Sequence, residues 1–94
     1  MSNVHLTRHA AKRLQQRGIP ETILPLLYDY GHEEYDHHGS RTVFFSRRGR
    51  ERVARVLGAT EYKQLQRALD AYVVIDQNDC VVTVGHRTHR INRN

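Results

Sequence analysis

The chain has 94 residues, 38% hydrophobic and 27% charged, which is enough for one small core and too little for two independent ones. Its formal net charge is +5, with 13 arginines against 2 lysines, so planar cations that pair with phosphate dominate its ionic chemistry. A single cysteine, Cys80, excludes an internal disulfide and an all-cysteine zinc site, and no apolar run approaches the ~18 residues of a membrane-spanning helix.

The chain opens on a short lead, Met1 to Leu6, that reads as a weak strand or an arm. No secretory signal pattern begins it, so a cytoplasmic protein is expected. Thr7 to Ile19 then reads as one complete helix with its stop attached. Thr7 can cap the first turn, Gly18 can take the left-handed conformation that ends a helix, and Ile19 can fold back onto Leu14. Ala10 and Leu14 form an apolar stripe, while His9, Arg13 and Arg17 recur at a spacing of four and share one face. One side of this helix can bury while the other displays an imidazole and two guanidiniums.

A second helix is expected from Pro20 or Thr22 to Tyr28, ended by Gly31. Pro25 breaks a helix interior, so either this helix kinks there or it starts late with Thr22 as its cap. Leu14, Ile19, Ile23 and Leu27 would join the two helices into a hairpin. A short strand near Glu33–Asp36, a turn at Gly39 and Ser40, and a strand from Arg41 to Ser46 follow. The basic run Arg47, Arg48, Arg50 leads into a helix that Ser46 or Gly49 begins and Gly58 ends. Thr60 can cap a further helix whose Tyr62, Leu65, Ala68 and Leu69 fit one buried face. Two strands, Ala71–Asp76 and Cys80–Gly85, joined by a turn at Gln77–Asp79, make the clearest hairpin, and Arg87 to Asn94 is a basic tail. The expected fold is α+β in a single domain, 1–94: a helical hairpin on an antiparallel sheet of about four strands, with a helical insertion before the last two.

Chemistry concentrates at the two ends of the chain. The last strand delivers Gly85, His86 and Arg87, with His89, Arg90 and Arg93 beyond. Cleavage of RNA through its 2′-hydroxyl needs a base, an acid and positive charge at the phosphorane-like transition state, and no metal. Histidine titrates in the useful range and arginine supplies fixed charge. His9 and His86 are therefore the candidate acid–base pair, with Arg13 and Arg87 on the phosphate. Arg17, Arg47, Arg48, Arg50, Arg90 and Arg93 are candidates for binding the rest of the strand. Singly, each histidine reads better as a hydrogen-bonded residue, His9 in the first helical turn and His86 at a strand end; it is their pairing with arginine at both ends that favours function. The cluster His32, Glu33, Glu34, Asp36, His37 and His38 lacks metal-ligand spacing and reads as a polar turn, so no metal and no cofactor are expected.

The pattern His9-Ala10, Arg13, Arg17-Gly18-Ile19, with Thr83-Val84-Gly85-His86-Arg87 near the end, resembles a family of small bacterial proteins of unassigned function. That family is related to the RelE-like toxins and to metal-independent ribonuclease folds, and the resemblance covers roughly residues 5–46 and 71–90. It implies a ribonuclease-like fold, often encoded with an antitoxin, acting on RNA that includes ribosome-bound mRNA. The stretch from about Arg47 to Leu69 is longer than the family leads one to expect. Two other readings compete with a ribonuclease toxin: a non-catalytic RNA- or DNA-binding module, and an accessory protein that docks a basic partner through its acidic Asp29–Asp36 segment.

Overall fold

The computed structural model describes residues 5–87. In chain order these form β1 (His5–Leu6), α1 (Arg8–Gln16), α2 (Ile23–Tyr30), β2 (His32–Tyr35), β3 (Arg41–Phe44), α3 (Arg47–Leu57), α4 (Ala59–Leu65), a 3-10 segment (Gln66–Asp70), β4 (Ala71–Ile75) and β5 (Cys80–His86). The class is α+β. The sheet has five strands rather than about four, in the order β1-β5-β4-β3-β2. The additional strand is the lead itself: His5 and Leu6 pair in parallel with Cys80 and Val81, so the sheet is mixed and not wholly antiparallel. Two residues carry no periodicity, and only the tertiary fold reveals the pairing.

Local chemistry sets the ends of α1. The Thr7 hydroxyl accepts from the Ala10 N–H at 3.1 Å. At the other end Gly18 adopts φ +64°, the Ile19 N–H donates to the Leu14 carbonyl at 2.9 Å and the Gly18 N–H to the Gln15 carbonyl at 3.2 Å. This is the Schellman stop, and its accompanying apolar contact has buried both Leu14 and Ile19. Full burial of a side chain of this size contributes about 1.5–3 kcal/mol.

Two expected caps differ from what forms. Thr22 precedes α2 but its backbone is already helical and its side chain makes no capping bond; carbonyls of Pro20 and Glu21 accept from Ile23 and Leu24 instead. Pro25 therefore falls in the first turn, where its missing donor costs little. Thr60 lies inside α4, whose N-cap is Gly58. Ser46 does cap α3, accepting from the Gly49 N–H at 3.1 Å. The single helix expected through Leu69 divides in two, tightening at Gln66 into the 3-10 segment that buries Ala68 and Leu69.

One face of the sheet carries Val43, Val73 and Val84 in a cross-strand row, all almost fully buried. Ala10 and Leu14 of α1, Ile23, Leu24 and Leu27 of α2, Val53 of α3 and Leu69 complete one continuous core with them. α1 lies mainly against β5, and α2 against β3 and α3. The alternate residues Thr42, Phe44, Tyr72, Val74 and Thr83 fall on the opposite face and are only half-buried. No helix among the described residues is long and apolar enough to cross a membrane.

Candidate nucleic-acid interface

β5 ends on His86, opposite Ala71, and this register sets its imidazole beside Asp70, the last residue of the 3-10 segment. Nδ1 lies 2.7 Å from Asp70 Oδ1, and Nε2 lies 3.2 Å from the Arg17 carbonyl at the C-cap of α1. The Arg87 N–H, one residue on, donates to the Asp70 carbonyl at 2.8 Å. A carboxylate and a carbonyl can only accept, so both ring nitrogens donate when the imidazole is protonated. The Asp70 hydrogen bond accordingly raises the His86 pKa above its ordinary value; burial opposes the shift, the Arg17 carbonyl adds to it, and the Arg17 charge acts against it. A cation at this carbonyl also complements the negative end of the α1 dipole.

A histidine with a raised folded pKa contributes stability that is fully present below its unfolded value near 6.5 and is lost as pH rises through the folded value. Thermal melts should therefore show the wild type losing stability from the mildly acidic to the mildly alkaline range. His86→Ala should cost about 1–2 kcal/mol at the acidic end, a charged hydrogen-bond contribution discounted for partial exposure, and should flatten the pH profile. An unchanged profile in that variant would contradict the assignment.

The other sequence-predicted residues distribute unevenly. α1 begins beside β5, where the Thr7 N–H donates to the Val81 carbonyl at 3.1 Å, and ends at His86. His9 is exposed near the start of this helix, eight residues before Arg17, or about 12 Å along the axis at 1.5 Å per residue. The fold thus leaves His9 and His86 towards opposite ends of α1 and does not join them as an acid–base pair. Arg13 is half-buried between them. Arg17 meets His86 through its backbone carbonyl. Arg90 and Arg93 lie outside the described residues.

Five of the remaining cations gather elsewhere. A cleft of about 1060 Å³ opens between the Phe44 end of β3, the first turn of α3 and the α4–3-10 junction. Arg47, Arg50, Lys63, Arg67 and Arg87 line it, and Asp70 is its one carboxylate among the described residues. Arg48, although adjacent in sequence, is not part of the lining. Arg50 is fixed by donation from Nη2 to the Leu69 carbonyl at 3.1 Å, and the Arg87 guanidinium carbon sits 3.7 Å from the centre of the Phe44 ring. Arg47, Arg48 and Arg50 occupy the first turn of α3, which holds no acidic residue. The helix dipole disfavours cations there, so their position does not serve helix stability.

Asp70, Phe44, Lys63 and Arg67 are the site residues that sequence reasoning misses. None belongs to a motif: Phe44 is placed by the pairing of β3 with β4, and Lys63, Arg67 and Asp70 by α4 and the 3-10 segment packed at the cleft. The acidic segment has a local use: Asp36 Oδ1 accepts from the His38 and Ser40 N–H groups at 2.7 and 3.0 Å, closing the β2–β3 turn, and these bonds lower its pKa. Among the described residues no group of three His, Cys, Asp or Glu side chains is placed to hold a metal ion. No family model, curated protein or solved structure matches the chain.

Proposed function

We propose that this protein binds RNA through its phosphate backbone in the cleft between β3, α3 and the 3-10 segment. What carries the reading is the surplus of five cations over one carboxylate lining that cleft. Four of the five are arginines, whose forked donors match phosphate oxygens in pairs. Such a surface gains most of its affinity from counterion release. That the polyanion is RNA rests on the resemblance carried by His9 to Ile19 and Thr83 to Arg87.

A second reading, a metal-independent ribonuclease acting as a toxin, is favoured by one observation: the Asp70–His86 pair at the margin of the cleft, with Asp70 common to both. A charged imidazole can give its proton to the departing 5′-oxygen while the 2′-oxygen bonds to phosphorus and another group takes the 2′ proton. His86 suits the acid role, but both its nitrogens are engaged, and His9 is too far along α1 to act as its base. Binding without turnover is therefore the first reading. In the second, an acidic antitoxin would dock on the same cations.

Incubation of the purified protein with total RNA in EDTA, beside His86→Ala and His9→Ala, separates the two. The expected result is RNA retained on a gel at low salt by all three proteins, with no cleavage. Fragments ending in 2′,3′-cyclic phosphate that disappear in His86→Ala would favour the ribonuclease. Neither retention nor cleavage would contradict both readings.

A further inference from the structure

The sheet register aligns one residue from each of four strands across the face opposite the core. His32 pairs with Phe44, Phe44 with Tyr72, and Tyr72 with Gly85. Paired residues project to the same face, so three rings and a glycine form a continuous row. The His32 ring meets Phe44 edge-on at 5.3 Å between centroids. At the far end of the row there is no side chain because there is no room for one: a Cβ on Gly85 would lie 2.9 Å from Cε1 of Tyr72, whose ring lies against that glycine. Arg87, two residues beyond Gly85 on the same strand direction, reaches back to place its guanidinium over Phe44 at 3.7 Å.

Stability alone does not account for this row. The core is made by Val43, Val73 and Val84 on the other face, whereas Phe44 and Tyr72 remain half-buried and His32 is exposed. Phe44 and Arg87 also line the cationic cleft, so the row and the cleft are one surface. A strand whose phosphates lie among Arg47, Arg50 and Arg67 can turn its bases towards Arg87, Phe44 and Tyr72. Guanidinium planes and aromatic rings both stack on unpaired bases, and they do so without regard to sequence. Bases within a duplex are already stacked and cannot reach such a platform.

We infer that the aromatic row is a base-stacking platform and that the ligand of the cleft is single-stranded RNA. This rests on the phosphate-binding reading above and narrows it: the cleft supplies charge, and the row selects unpaired bases. Arg87 belongs to both, as a cation and as a stacking plane held by Phe44.

Fluorescence anisotropy at low salt tests the inference with three labelled probes: a short oligouridylate, an abasic oligomer of the same length, and an RNA duplex with the same number of phosphates per strand. The oligouridylate is expected to bind the full-length protein at least about tenfold more tightly than the abasic strand, the effect of one stacked base. Arg87→Lys keeps the charge and loses the planar stack, so it should abolish that preference. Tyr72→Leu should reduce the preference in the same way, and circular dichroism shows whether each variant is folded. Equal affinity for the abasic and uridine strands overturns the platform while the phosphate reading stands. Duplex binding as tight as that of the single strand overturns it too. Failure of all three probes to bind overturns the phosphate reading beneath it.

Discussion

Leu69→Ala is expected to lower the stability of the protein by about 2–4 kcal/mol, the range for deleting a fully buried leucine side chain and leaving part of its cavity behind. Leu69 is completely buried and contributes to the single core from the 3-10 segment. Its carbonyl also accepts from Arg50, and Asp70 follows it directly, so a collapse around Leu69 would disturb the cleft and the His86 contact together. Domains of this size have total stabilities of about 5–15 kcal/mol, and each kcal/mol shifts Tm by about 4–8 °C. A fall of roughly 10–30 °C in calorimetry is therefore expected. Leu65→Ala is the control: Leu65 is only half-buried, and its loss should cost appreciably less. Equal effects at the two positions would contradict the placement of the 3-10 segment.

The larger effect on binding is expected from Arg47→Glu combined with Arg67→Glu. Both side chains are exposed and line opposite walls of the cleft, one on the first turn of α3 and one on the 3-10 segment. Neither makes a side-chain hydrogen bond or ion pair among the described residues, so the fold should tolerate both changes. Each lost phosphate contact removes a charged hydrogen bond worth roughly 1.5–3 kcal/mol, less when exposed. The introduced carboxylates then repel the strand. Together the changes should weaken RNA binding by about 100-fold or more at low salt, read by anisotropy. The same reversal at Arg8 and Lys12, on the exposed part of α1, should weaken it far less.

What the sequence disclosed and what it hid divide by range of interaction. The ends of α1 were legible because a cap and a Schellman stop are decided within a few residues, by Thr7, Gly18, Leu14 and Ile19. The β4–β5 hairpin was legible for the same reason, its alternation ending in an Asp76-closed turn. The lead was legible as a weak strand or an arm, but its parallel pairing was not, because it is two residues long and its partner lies at the far end of the chain. His86 stood out as a candidate, but its partners, Asp70 and the Arg17 carbonyl, come from different elements and could not be named. The placement of His9 relative to His86 was hidden because it depends on direction: α1 runs alongside β5, which sets His9 about 12 Å along the helix axis from the carbonyl that His86 meets. The basic run was legible as charge, but only the fold distinguishes Arg47 and Arg50, which line the cleft, from Arg48, which does not.

If cleft cations meet RNA phosphates, the salt dependence of binding reports how many. For a single strand, the logarithm of the association constant falls against the logarithm of salt with a slope of about −0.7 per phosphate neutralised. Anisotropy titrations of the wild type with oligouridylate over a range of salt concentrations should give a slope of about −3, and Arg47→Glu/Arg67→Glu should bring it to about −1.5 or shallower. A shallow wild-type slope, or one that the double variant leaves unchanged, would contradict the claim.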